Sequence, residues 1–358
     1  MILFLDTEFV WQSTYFAKLG VVQAAPSEGG LKLAAKESDF IPFASAAPRH
    51  KLVRLIDPLV CDGADFARAV SDPAIVKIFH AGDQDIEYIS RWCGARFANV
   101  FDTSLAARFC GRIGQVSLQK LIAEIFSAEL QKDSTLTDWL KRPLSQKQLA
   151  YALDDVAYLD ALREALIAQA RAAGTLAWMT EAMLEFEEET QVVEPQGNAW
   201  KRVKHVQASR FNNGRQLVIL RELAETRERL AIAADLPRGW VMDDSELVAA
   251  CLKPSAFSWT KAAKDIPNGL APELEAAFAR ALEMPLENMP RLAVPPPLVP
   301  KSKIERVRDA VAGCALRHGI DPLLVGARSH CTDYAADPSD PTHKFNRGWR
   351  RELLAGAL

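Results

Sequence analysis

The sequence predicts an α/β domain with a mixed sheet, followed by two units made of helices alone. Three observations support this. Strand-like and helix-like patterns alternate over the first half of the chain, and only helical periodicity is visible after about Glu189. An acidic-to-basic stretch around Pro195 and a proline-rich stretch, MPLENMPRLAVPPPLVP, separate the parts. We therefore place the domains at 1–192, 208–286 and 302–358.

In the first domain, short runs rich in β-branched and aromatic residues predict strands. These runs are, in order, ILFL, VVQAA, LVRLID, IVKIFHA and NVFDT. Helical spacing is visible in DIEYISRWCG, SLAARFCG and SLQKLIAEIF, and in one long helix from Gln146 towards Gln169. Ser145 and Gln148 form a capping box, which predicts that this helix begins at about Gln146. Asp102 precedes a predicted helix and is interpreted as its cap.

The two later units show only helical patterns. The second domain contains QLVILRELAETRERLAIAAD, SELVAACL and PELEAAFARALE, and the third contains IERVRDAVAGCALRHG and GWRRELLAGAL. Since their apolar residues recur at helical spacing, both units are predicted to be all-α.

Composition and charge fit an ordinary globular protein. A formal net charge of −3 gives no global signature of nucleic-acid binding, so such a function would depend on local patches. The six cysteines show no zinc-ligand spacing, which favours reduced intracellular thiols. The N-terminus lacks the features of a signal peptide, and no apolar run reaches membrane-spanning length. We therefore expect a cytoplasmic monomer with no membrane partner.

The stretch FLDTEF places two carboxylates on one predicted strand. Side chains two positions apart point to the same face of a strand, so Asp6 and Glu8 should lie side by side. Two like charges held close repel each other, and the pair has no structural use in an apolar strand. Because hard divalent cations prefer oxygen ligands, the pair predicts a metal site.

Two further acids are candidates for the same site. On the last predicted helix of the first domain, Asp155 lies in the apolar stripe one turn after Tyr151, whereas Asp154 lies off it. After the IVKIFHA strand, Asp85 rather than Asp83 should face the sheet. Plainer explanations exist: an acid such as Asp85 stabilises a helix start, and Tyr151 alone fits a core aromatic.

Three motifs, in this order, resemble the exonuclease motifs of the DEDD superfamily in its tyrosine-containing subgroup. They are FLDTEF, HAGDQDIEYI and YALDD. The stretches FDTSLAARF, TDWLKRPLS and AWKRVK are similar to the ribonuclease D family, although the region 24–51 is longer than that family's usual hairpin. The region containing DLPRGWVMDDSELVAACL resembles an HRDC domain, a nucleic-acid-binding unit shared with RecQ helicases. GWRRELLAGAL suggests a second, divergent HRDC-like domain.

The resemblance implies a ribonuclease H-like domain that removes nucleotides from RNA 3′ ends and releases 5′-monophosphates by a two-metal mechanism. It also implies precursor tRNA as the substrate. Two divalent ions, Mg²⁺ or Mn²⁺, would be held by four carboxylates: Asp6, Glu8, Asp85 and Asp155. Tyr151 would orient the attacking water. The residues implied to contact the terminal nucleotide are Thr7, Phe9 and His80.

Two other functions stay open at this point. FLDTE is also similar to the nucleophile motif of haloacid-dehalogenase-type phosphatases, with Asp154 and Asp155 as their paired acids. That class normally has Asp at the position of Glu8. The chain could instead be a catalytically silent RNA-binding protein, but the acids would then repel each other without benefit.

Overall fold

Five strands form one mixed sheet, as predicted. The structure is a computed structural model and describes residues 1–29, 31–34, 36–45, 47, 50–130, 137–191, 198–204, 213–262, 264, 266–267, 269–285 and 299–358. The strands are β1 (Ile2–Val10), β2 (Lys18–Pro26), β3 (Arg54–Ile56), β4 (Val76–Phe79) and β5 (Val100–Asp102). Their order is β3-β2-β1-β4-β5. Strand β4 is parallel to β1 and β5, whereas β3 is antiparallel to β2.

Among the residues that the structure describes up to Gln191, seven α-helices follow or separate these strands. They are α1 (Ala64–Ser71), α2 (Asp83–Cys93), α3 (Thr103–Arg108), α4 (Leu118–Phe126), α5 (Gln146–Ala157), α6 (Leu159–Ala173) and α7 (Leu176–Thr190). The predicted start at Gln146 and its capping box are confirmed, and so is Asp102 as the cap of α3. The prediction of one long helix is wrong. At Tyr158 the backbone N–H bonds to the carbonyl of Val156, so the regular hydrogen-bond ladder is interrupted there.

Strand β1 separates two hydrophobic clusters. Leu3 and Leu5 are buried on one side, in the cluster that includes α1 and α2. Phe4 is buried on the other side, with residues of α5 and α6. Because side chains alternate along a strand, Asp6 and Glu8 continue the Phe4 side, towards α5. The sheet thus places both acids next to the helix that carries Asp155.

The contact pattern divides the chain into two units, one made of Met1–Val10, Leu19–Val192 and Pro297–Leu358, the other of Trp11–Lys18 and Val193–Pro296. The helices of the second unit are α8 (Gly214–Ala234), α9 (Arg238–Val241), α10 (Asp244–Leu252), α11 (Trp259–Ala262) and α12 (Ala271–Glu283). They share a core of their own. Lys18 forms an ion pair with Asp235 at 3.0 Å, and the Tyr15 hydroxyl donates to Glu228. The segment between β1 and β2 therefore belongs to the helical unit.

The C-terminal helices are α13 (Lys301–Arg317), α14 (Pro322–Val325), α15 (Arg328–Ala336) and α16 (Gly348–Leu354). They are all-α as expected, but they share a core with the sheet unit instead of standing apart. The centroid of the buried Trp349 ring lies 5.2 Å from that of Phe109. One guanidinium nitrogen of Arg350 donates to both carboxylate oxygens of Glu185, at 2.8 and 2.6 Å. Such long-range partners have no signature in the local helical pattern.

Two predictions about the whole chain concern its thiols and its apolar helices. The six cysteines are free thiols, in agreement with the prediction. Among the helices that the structure describes, none has the length and apolar character needed to cross a membrane.

Candidate active site

Three carboxylates from two elements meet at one point. Oxygens of Asp6 and Glu8, on β1, and of Asp155, on α5, all lie within 4.8 Å of one another. Glu8 and Asp155 are only 8% and 7% exposed. The side-by-side placement of Asp6 and Glu8 follows from the alternation of β1, and Asp155 reaches them because its helix packs over that face. Buried acids this close need a positive partner.

Asp85 lies at the edge of this group. It is buried in the first turn of α2, whereas Asp83 is exposed, as the helical pattern predicts. Its Oδ1 accepts a hydrogen bond from the Thr7 hydroxyl on β1. The charge of Asp85 contributes to raising the pKa of both Asp6 and Glu8. Asp85 is therefore electrostatically part of the group, although it is not one of the three acids that share the 4.8 Å cluster.

Burial is the largest cause of the perturbed acidity of all four groups. It raises the pKa of Glu8 to about 9, with the charges of Asp155 and Asp85 adding to the effect. It raises the pKa of Asp85 and of Asp155 to about 7. The pKa of Asp6 also lies well above its usual range, because of burial and then the charges of its neighbours. Without a cation, the group therefore holds protons at neutral pH.

The oxygens of the cluster fit a hard divalent cation. Asp155 Oδ2 is buried and has no hydrogen-bond partner among the described residues. Glu8 Oε1 receives a long bond of 3.4 Å from the amide of Gln23. Carboxylate oxygens with spare acceptor capacity are what Mg²⁺ or Mn²⁺ binds. Gln23 was not identified from the sequence as a neighbour of the site. A polar residue within the otherwise apolar strand VVQAA is the signal that could have indicated it.

Tyr151 lies one turn before Asp155 on α5, and the two side chains are hydrogen-bonded to each other. Its ring packs 6.2 Å from that of Trp139. Burial, followed by the charges of Asp155 and Glu8, raises the pKa of the phenol above its ordinary value of 10. The hydroxyl therefore stays protonated at neutral pH and is suited to donate a hydrogen bond, not to remove a proton.

A cavity of about 450 Å³ opens beside the acids. Its lining combines three site residues, Asp6, Tyr151 and Asp155, with His80 and the segment 115–119. The volume suits a small organic group such as a nucleotide. The structure thus brings His80 to the same cavity as the acids.

Thr7 and Phe9 do not line this cavity. The Thr7 side chain faces Asp85, and the Phe9 ring packs edge-on against Tyr88, with centroids 4.6 Å apart. Both residues therefore support the strand and helix that carry the acids.

Asp154, the neighbour of Asp155, points elsewhere. Its Oδ1 lies 2.9 Å from Nε2 of His50, and the other ring nitrogen of His50 contacts the Ser45 hydroxyl at 2.7 Å. Asp154 and Asp155 thus do not act as the paired acids of a phosphatase site. The pairing also ties α5 to the segment that precedes β3.

Comparison with known proteins identifies the class. Residues 48–170 match the family described as 3′–5′ exonuclease. The fold, the buried acids and this match together define a nuclease of the 3′–5′ exonuclease class.

Whole-chain relatives then define the family. A ribonuclease D from Desulfotalea psychrophila is 31% identical over 98% of this chain and 90% of its own length. One from Jannaschia sp. is 31% identical over 98% of this chain and 87% of its own length. The crystal structure of Escherichia coli RNase D matches with a TM-score of 0.82 and 25% identity, over 99% of this chain and 91% of that chain. The chain belongs to the ribonuclease D family and is a 3′–5′ exoribonuclease.

Proposed function

We propose that this chain hydrolyses RNA from its 3′ end at the cluster of Asp6, Glu8 and Asp155, with Asp85 beside it. The observation that carries the proposal is the approach of three carboxylates within 4.8 Å, two of which are buried. Repulsion between these acids is unfavourable unless a cation offsets it. The site residues named from the sequence thus receive a physical role.

We assign the acids to two ions, Mg²⁺ or Mn²⁺. Asp6, Glu8 and Asp155 would hold one of them, and Asp6 and Asp85 the other. When bound, such ions supply the positive charge that stabilises the attacking and leaving oxygens of a phosphodiester. Thr7 contributes by donating its hydroxyl hydrogen to Asp85 Oδ1, which orients that carboxylate.

Tyr151 positions the attacking water. Its hydroxyl lines the same cavity as Asp155. With its hydrogen donated to Asp155, the phenol oxygen can accept a hydrogen bond from the water and help to hold that water in line with the scissile phosphorus. The cavity accepts the terminal nucleotide, and the product is a nucleoside 5′-monophosphate. Contacts from Thr7 and Phe9 to that nucleotide stay predictions, although neither residue lines the cavity, whereas His80 does line it.

The partner is RNA, and we propose the 3′ end of precursor tRNA as the substrate. The E. coli relative is described as an exoribonuclease involved in structured RNA processing, which supports a folded RNA with a free 3′ end. We further propose that the helical unit at 208–286 is an HRDC domain that contacts this RNA, and that the cytoplasmic protein acts as a monomer.

The test is digestion of 5′-labelled RNA with a single-stranded 3′ overhang, in Mg²⁺ or in EDTA. A metal-dependent ladder that shortens from the 3′ end is expected from the wild type and not from Asp155→Asn. Asp154→Asn is the matched control, since it changes the adjacent acid that faces His50. A single internal cut, or equal trimming by wild type and Asp155→Asn, would contradict the proposal.

A further inference from the structure

The turn after β4 is tightly constrained. Ala81 has a positive φ of 59°, a conformation that costs a non-glycine residue about 1–2 kcal/mol. A Cβ on Gly82 would lie 2.4 Å from the Cβ of Phe79, and the Gly82 N–H donates to Asp102 Oδ2 at 2.9 Å. The backbone of this turn, directly after His80, therefore has little room to rearrange.

Both nitrogens of this ring are engaged by the protein. Nε2 lies 2.9 Å from the carbonyl oxygen of Val116, and Nδ1 lies 2.9 Å from the Thr103 hydroxyl. A carbonyl only accepts hydrogen bonds, so Nε2 carries the proton. In a neutral ring Nδ1 can then only accept, and the Thr103 hydroxyl beside it donates its hydrogen to the Phe79 carbonyl at 2.9 Å. Nε2 is therefore committed to Val116 and is not available to a nucleotide.

The Val116 carbonyl belongs to the segment 115–119, which forms a wall of the cavity. Gln115, Ser117 and Gln119 lie on either side of it in the same lining. Ser117 also begins α4, because its hydroxyl accepts from the Lys120 N–H. The bond from His80 therefore ties this wall to the end of β4.

We propose that His80 is a positioning residue: through Val116 it holds the wall 115–119 where that wall fits the terminal nucleotide of the RNA. This inference rests on the proposed function, in which the cavity receives the RNA 3′ end. His80 then acts on the substrate indirectly, by holding Val116, whereas the sequence led us to expect direct contact with the terminal nucleotide. The consequence is a ring that controls substrate affinity and leaves the chemical step unchanged.

The experiment compares His80→Asn with His80→Gln in the full chain. A glutamine amide can reach the position of Nε2 and donate to Val116, whereas an asparagine amide reaches only the position of Nδ1. With 5′-labelled RNA and saturating Mg²⁺, we expect His80→Asn to raise KM about tenfold with kcat within about twofold. We expect His80→Gln to stay within about twofold of the wild type in both constants.

Thr103→Val supplies a second, independent variant. It removes the hydroxyl that lies beside Nδ1 and donates to the Phe79 carbonyl. We expect it to raise KM about threefold when His80 is present and to have no effect in the His80→Gln background. If the melting temperature shows that His80→Asn does not fold, this double-mutant cycle of Thr103→Val and His80→Gln tests the inference by itself.

Equal increases in KM for both substitutions of His80 would mean that the ring touches the RNA and would overturn the inference. An unchanged KM in both His80→Asn and His80→Gln would also overturn the inference. The same holds for a Thr103→Val effect on KM that is equal in the wild-type and His80→Gln backgrounds. Failure of the proposed site is recognised separately, because it would leave trimming by Asp155→Asn intact whatever the His80 variants do.

Discussion

Replacing Asp155 with Asn should stabilise the metal-free protein at pH 8 while abolishing its activity. The pKa of Asp155 is raised from 3.8 to about 7 by burial, so the folded state retains a proton that the unfolded chain has lost. The contribution of Asp155 to the free energy of unfolding is then greatest below about pH 4 and falls as the pH rises towards 7. At about 1.4 kcal/mol for each pH unit, holding Asp155 ionised costs at most about 4 kcal/mol. Asparagine avoids this cost, and we expect a gain of about 1–4 kcal/mol.

The assay is calorimetric unfolding in EDTA and in Mg²⁺, at pH 5 and pH 8. Wild type should be less stable at pH 8 than at pH 5 in EDTA and should recover in Mg²⁺, because the cation replaces the lost protons. Asp155→Asn should show a weaker pH dependence, a smaller response to Mg²⁺ and a loss of trimming of about 100-fold or more. Asp160→Asn, an exposed acid on α6, is the control and should behave as wild type. A variant that is no more stable than wild type in EDTA at pH 8, and that still responds fully to Mg²⁺, would refute this reasoning.

Three other substitutions test individual contacts. Tyr151→Phe should lower kcat about 10- to 100-fold with KM nearly unchanged, measured on the same RNA, since only the water-positioning hydroxyl is lost; an unchanged kcat would contradict this role. Asp102→Ala should cost about 2–4 kcal/mol in urea unfolding, because the N–H groups of Gly82 and Leu105 lose their acceptor; Asp102→Asn, which keeps one acceptor oxygen, should cost less. Gly82→Ala should lower the melting temperature, because its Cβ would clash with Phe79; an unchanged melting temperature would argue against the tight turn.

The sequence by itself determined the features that depend on neighbours along the chain. The two-residue spacing of Asp6 and Glu8 fixes their common face in any strand, and the 3.6-residue period puts Tyr151 and Asp155 together on any helix. The capping box at Ser145 set the start of that helix. The same local rules separated Asp85 from Asp83, because only the former falls on the buried face.

Only the tertiary structure decided how these elements meet. The bond from Thr7 to Asp85 and the ring of His80 against Val116 join residues far apart in the chain. The break at Tyr158 and the packing of Trp349 on Phe109 also have no local signature. Periodicity encodes which side of an element is buried, but it carries no information about which partner buries it. That partner depends on close packing of the whole unit, and here packing turns four separate acids into one proposed metal site.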